Sequence, residues 1–185
     1  MATIFGHALS AVTLSFVAGK KTRDWLFVRT MIYLSIAPDL DVFGLLIGIP
    51  YESFWGHRGF THSIFFGVLL GTTVSFLINI KRKRRGSEFV LATFLLILAT
   101  LSHSFFDGFT NGGHGIAFLA PFDNTRYFFP MRVLEVSPIG LWFFSARGLE
   151  VILSELVWIA LPCLGGLCIY LCLQKFIGDK SKNDS

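Results

Sequence analysis

Charge is scarce in this chain. Of 185 residues, only 15% are Asp, Glu, Lys or Arg, while 53% are hydrophobic. Soluble domains carry about 25% charged residues, so a water-soluble globule and an intrinsically disordered chain are both excluded. Cysteine is equally sparse. Cys163, Cys168 and Cys172 fall within one apolar stretch, which excludes a disulfide scaffold and says nothing of redox compartment. Internal repeats are lacking, and so is the His-Glu-x-x-His string of zinc proteases.

Long apolar runs are what the chain has in place of charge, with 21 phenylalanines among them. A spanning helix needs about 20 mainly apolar residues. Residues 60–80, 88–108 and 150–173 qualify, while 25–49 is interrupted by Pro38, Asp39 and Asp41, and 2–19 is short. The fold expected is an all-α, multi-pass transmembrane bundle of about five hydrophobic helices. One membrane-embedded domain covers residues 1–178, and 179–185 reads as a disordered cytoplasmic tail. The Gly-, Pro- and Phe-rich stretch from Thr110 to Ser145 reads as a partly inserted cap, because irregular backbone at membrane depth must be buried or line a cavity. The first apolar run has no basic segment before it and no obvious cleavage site, so it is expected to remain as a helix.

The formal charge of +4 is not a nucleic-acid signal. Eleven of the 16 basic residues sit in three clusters bordering apolar runs: Lys20, Lys21 and Arg23; Lys81 to Arg85; and Lys175, Lys180 and Lys182. Short basic loops of this kind face the cytoplasm. With all three clusters inside, the spans alternate without conflict. His7, Asp39, Asp41, His57, His62, His103, Asp107 and His114 then collect at the opposite, non-cytoplasmic end.

Three strings carry chemistry. His103 and Asp107, four apart in an apolar helix, share a face and suit either one metal ion or a helix-joining hydrogen bond. Asp39 and Asp41 follow Pro38 two apart, so one is expected to face an ion while the other points elsewhere; a helix N-terminus is the plain alternative. In His57-Arg58-Gly59-Phe60-Thr61-His62-Ser63, a turn leads into a helix N-terminus. This is either an anion site with Arg58 as a phosphate fork or an interfacial loop with two solvated histidines. Taken together, imidazoles and carboxylates at one membrane face suit Zn²⁺, with Mn²⁺ or Fe²⁺ as alternatives. Glu135, Arg132, Asn111, Asp123 and Arg126 read as interfacial or cap-stabilising, and Glu155 as pairing within the bundle.

The order His7, Pro-Asp-Leu-Asp at 38–41, His-Arg-Gly-Phe-Thr-His-Ser at 57–63 and His-Ser-Phe-Phe-Asp at 103–107, followed by a Gly-rich turn and Ala120-Pro121-Phe122, resembles the LexA-regulated inner-membrane metal-dependent hydrolases (YdjM-like). The likeness covers residues 1 to about 145. More distantly the order is similar to zinc-dependent phospholipases C. The resemblance implies Asp39, His57 or His62, His103 and Asp107 around one ion, with His7 sharing Asp107 with a second. The later His-x-x-x-Glu pair of the soluble enzymes is missing, so one or two ions are implied. Asp41 and Arg58 would be catalytic, the first orienting a histidine or taking a proton, the second holding phosphate. The activity implied is hydrolysis of a phosphoester, with a phospholipid of the bilayer as one candidate. A non-enzymatic metal-binding structural or transport protein is the alternative. The Lys/Arg-Pro and Ser-Gly-His strings of membrane-lipid acid phosphatases do not occur.

Overall fold

The computed structural model describes residues 1–138 and 140–183, with side chains described for all of these except 141 and 177–183. The expected tail, 179–185, therefore lies outside the residues whose side chains are described. The fold is helical, as expected, with no named strand among the described residues. Extended pairing is confined to two isolated bridges, Thr110 to Leu134 and Ile116 to Tyr127.

Three of the expected apolar runs form helices long and apolar enough to cross a bilayer. They are α5 (Ile64–Arg82), α6 (Gly86–Gly108) and a helix running continuously from Ala146 to Phe176. The last comprises α7 (Ala146–Glu155), a π-helical turn at Leu156–Ala160 and α8 (Leu161–Asn183). The first two runs are broken into pieces. The helices α1 (Ile4–Ser15) and α3 (Trp25–Ile36) have 12 residues each, about 18 Å at 1.5 Å per residue. Beyond α1 come a 3-10 turn at Phe16–Ala18 and α2 (Gly19–Thr22), with Gly19 at φ +71° marking the break. Beyond α3 come a 3-10 turn at Ala37–Asp41 and α4 (Val42–Leu46). Pro38, which lacks an N–H, sits at the start of that turn, where the missing donor costs least.

Local chemistry fixes the ends. Thr3, Asp24 and Ser63 cap α1, α3 and α5 by accepting from the N–H groups of Gly6, Phe27 and Phe66. Helices α1, α3 and α6 enclose a core that includes Ala11, Phe27, Met31, Leu95, Leu96 and Ala99. The approach of α5 to α6 depends on Gly71, where an added Cβ would stand 2.7 Å from the Ile97 Cα. Between these helices Ser75 and Thr93 hydroxyls lie 2.6 Å apart, and Asn79 donates to Ser75 at 2.8 Å. Small residues and interhelical hydrogen bonds are the contacts that hold helices together in lipid.

The bundle has two polar ends. At one, Arg84 donates to the Thr22 carbonyl at 2.6 Å and lies 3.3 Å from Asp24, while Thr22 donates to Glu88 at 3.0 Å. These contacts bring the Lys20–Arg23 and Lys81–Arg85 clusters together. The other end, about 28 Å along α6 from Glu88 to Asp107, gathers the histidines and aspartates. There the irregular segment after α6 folds back as a cap. Arg126 fastens it by donating to the carbonyls of His57 and Tyr51, at 2.9 Å each. Burial lowers the Arg126 pKa and raises that of the Tyr51 phenol. Trp25, Trp55, Phe122 and Trp142 point outward, as interfacial aromatics do.

Candidate metal centre

Two elements of different origin converge on the end of α6. The helix itself presents His103 and Asp107 from one face, both fully buried. The 3-10 turn after α3 then swings Asp39 and Asp41 to opposite sides of His62. Asp39 Oδ1 lies 3.2 Å from His103 Nε2 and 3.5 Å from His62 Nε2. Asp41 Oδ2 lies 3.1 Å from His62 Nδ1, and Asp41 Oδ1 lies 2.6 Å from His57 Nδ1. Thr61 also donates to Asp41, at 2.5 Å. The short 3-10 helix Phe60–His62, ahead of the Ser63 cap, aims the His62 ring inward.

Asp39, His62, His103 and Asp107 form one buried group whose ligand atoms lie within 4.8 Å of one another; Asp41, His57 and His62 form a second. His103 Nδ1 lies 2.8 Å from the Ser35 carbonyl, an acceptor, so it carries a proton. His62 Nδ1 faces the Asp41 carboxylate and is protonated for the same reason. In the neutral imidazoles both Nε2 atoms therefore present lone pairs, and they face each other at 3.1 Å. Such a pair repels unless one ring is protonated or a cation lies between. Second-sphere acceptors at Nδ1 with Nε2 free are the usual setting of metal-ligating histidines.

The donor set fits a small divalent ion on three further counts. Tetrahedral bonds of about 2.0–2.2 Å place ligand atoms about 3.3–3.6 Å apart, and the contacts among Asp39, His62 and His103 run from 3.1 to 3.5 Å, with His62 to Asp107 at 4.0 Å. Both oxygens of Asp39, one of Asp107 and both ring nitrogens of His7 are buried without hydrogen-bond partners. With neutral imidazoles, the carboxylates of Asp39, Asp41 and Asp107 outnumber the Arg58 guanidinium and the Met1 ammonium, the latter 3.9 Å from Asp107, by one negative charge in a dry interior. A buried charge excess is costly, and a divalent cation offsets it. The cluster can thus bind a metal ion.

The remaining expected residues are placed as follows. His7 stacks on His103 with centroids 4.0 Å apart and lies 3.6 Å from Asp107. Arg58, read from sequence as an open phosphate fork, is fully buried at φ +64°. Its guanidinium lies 3.2 Å from Asp107 and donates to Thr110 and the Gly112 carbonyl at 2.9 Å. His114 stands apart, half exposed and paired with Glu52 at 2.8 Å. Glu135 pairs with Arg147 and accepts from Asn111 at 2.6 Å, which lowers its pKa, while Arg132 packs over Phe128. Glu135 thus makes an interfacial ion pair, but with Arg147 in place of Arg132. Sequence reasoning missed the partners of Arg58 and Glu155. Glu155 accepts from the Thr3 N–H and from its hydroxyl, and no spacing rule links residues so far apart in the chain.

Comparison with known proteins shows the family. The family model described as YdjM inner membrane protein matches residues 1–176. Among curated proteins, the inner membrane protein YbcI of Escherichia coli (strain K12) is 33% identical over 163 residues, covering 88% of this chain and 92% of that protein. No solved structure matches the chain. With its spanning helices and its buried Asp/His cluster, the chain belongs to the YdjM inner membrane protein family.

Proposed function

We propose that the chain is a membrane-embedded, metal-dependent hydrolase of phosphoesters, with Zn²⁺ as the ion and a membrane phospholipid as the substrate. The observation that carries the reading is the facing pair of His62 and His103 Nε2 atoms, 3.1 Å apart beside two buried aspartates. In this reading Asp39, His62, His103 and Asp107 hold the ion. His57 belongs to the neighbouring group with Asp41, and His7, against Asp107, marks the place of a second ion. Held by these residues, a divalent ion would supply acidification of water and polarisation of a phosphoryl oxygen. Asp41 fixes the His62 ring and, with its second oxygen, the His57 ring, and so acts on the ion through the histidine it holds. Arg58 holds Asp107 in position and brings a positive charge to the side of the cluster covered by the cap. The basic end faces the cytoplasm by the loop-charge rule, so the cluster faces the periplasm.

A second reading has its own support. All four ligands are buried, none more than 8% exposed, and closed sites are typical of structural metal centres. Hydrolysis separates the two. Detergent-purified, zinc-loaded protein is assayed on a panel of phosphodiesters and phosphomonoesters, including glycerophospholipids, beside Asp41→Asn and His103→Ala. The enzyme reading expects turnover that both variants lower by at least 100-fold. Full metal occupancy with no turnover on any phosphoester contradicts it and favours the structural centre.

A further inference from the structure

The last spanning helix touches the rest of the molecule sparingly. Most of its apolar side chains, from Leu149 to Phe176, are exposed, and α1 is its main helical partner. Among the described residues of this helix, Val151 and Ile159 are the fully buried apolar side chains, and Ile159 packs with Ala2 and Leu134. In lipid such contact has little hydrophobic drive behind it. One polar group crosses this seam. Glu155, only 6% exposed, accepts from both the backbone N–H and the hydroxyl of Thr3, the hydroxyl at 2.5 Å. The seam is tight, since a Cβ at Gly6 would stand 2.9 Å from Glu155 Oε2. A π-helical turn follows Glu155 immediately, and such turns re-aim a helix face, frequently at functional sites.

The contact does not end at Thr3. The next N–H along the chain, that of Ala2, donates to Asp107 Oδ1 at 2.6 Å. The Thr3 hydroxyl in turn accepts from Gly6 and starts α1, which carries His7. Glu155 therefore grips the short segment that holds one oxygen of Asp107 and sets the register of His7. With Oδ1 engaged by Ala2, Oδ2 is the oxygen left without a hydrogen bond, and it is the one that faces His62 and Arg58.

We infer that Glu155 is a positioning residue for the metal centre: through Thr3 and Ala2 it fixes the rotamer of Asp107 and couples the last spanning helix to ion binding. The inference rests on the metal reading of the Asp39–His62–His103–Asp107 group. It goes beyond that reading in assigning a role to a residue that touches none of the four ligands.

The test is a Co²⁺ titration of the full-length protein in detergent, read as Kd and as the visible absorption spectrum of the ion, whose bands report ligand geometry. Wild type, Glu155→Ala, Glu155→Gln and Glu150→Ala, an exposed surface control, are compared. Loss of an outer-sphere partner weakens metal binding by about 10–100-fold. Glu155→Ala is expected to raise the Kd about tenfold and to shift the bands. Glu155→Gln, which still accepts from Thr3, and Glu150→Ala are expected to stay within about threefold with unshifted bands. Should Glu155→Ala fail to fold, Thr3→Val removes the hydroxyl arm alone and is expected to shift Kd and bands in the same direction. Wild-type Kd and spectrum in Glu155→Ala, or in Thr3→Val where it stands in, overturn the inference and leave the metal reading intact. A wild type that takes up no Co²⁺ and no Zn²⁺ overturns both.

Discussion

Asp107 and Arg58 show how residues far apart in sequence share charge at the cluster. Asp107 receives the Ala2 N–H on one oxygen and the Arg58 guanidinium on the other. Arg58 sits at φ +64°, a backbone region that costs a non-glycine residue about 1–3 kcal/mol. The contacts to Asp107, Thr110 and Gly112 hold it there. Arg58→Ala relaxes none of that backbone strain and leaves a buried carboxylate unpaired, so it is expected to destabilise the metal-free protein by about 3–5 kcal/mol. A bound cation neutralises the same carboxylate, so the loss should shrink in metal-loaded protein. Thermal unfolding in detergent, with chelator and with zinc, measures both values; an equal loss in the two states contradicts the shared charge. For Asp41→Asn, which weakens the hold on His62, zinc affinity should fall about 10–100-fold. Because histidines must be neutral to ligate, the affinity of every variant should also fall as pH drops. His103 and Asp107 were legible as partners because four residues make one helix face. Asp39 and Asp41 were legible as diverging, but which one meets His103 depends on the 3-10 turn at Ala37–Asp41. The burial of Arg58 was not legible, since its partner lies 49 positions along the chain.

Among the elements, α5 and α6 form the frame, and their closeness rests on glycine. A side chain at position 71 must displace the Ile97 backbone. Gly71→Leu is therefore expected to separate the helices and lower stability by about 1–3 kcal/mol, with exposed Leu69→Val as a near-neutral control in the same unfolding assay. The spanning character of 60–80, 88–108 and 150–173 was readable from apolar content and length. The shortness of 2–19 and the interruption of 25–49 were readable too; that each yields a helix of only 12 residues was not, because hydropathy counts apolar residues and is blind to whether the backbone runs as one helix. Gly19 and Pro38 supply the breaks, and the second break is what delivers Asp39 and Asp41 to the cluster. Glu155 shows a different limit. Its need for a partner was readable from its place in an apolar helix, whereas a backbone N–H donor leaves no mark on sequence.

For the molecule as a whole, the charge asymmetry between the two ends makes a topological prediction. With Cys163, Cys168 and Cys172 replaced by serine, Asn124→Cys in the cap should react with a membrane-impermeant thiol reagent added to intact spheroplasts. Lys83→Cys, in the turn between α5 and α6, should react only after lysis. The reverse pattern would place the cluster on the cytoplasmic side. The gathering of polar residues at one end followed from the basic clusters before any geometry was known, and it holds for His7, Asp39, Asp41, His57, His62, His103 and Asp107. It fails to make a ligand of His114, which pairs with Glu52 at the surface.

The central claim is that the buried Asp/His cluster is a metal site. Elemental analysis of detergent-purified protein tests it most directly, set beside a His103→Ala/Asp107→Ala double variant shown to remain folded by circular dichroism and monodisperse by size-exclusion chromatography. The account predicts one or two zinc-like ions per chain in wild type and none in the variant. Metal-free wild type that cannot be reloaded, or a variant that keeps its metal, would contradict it.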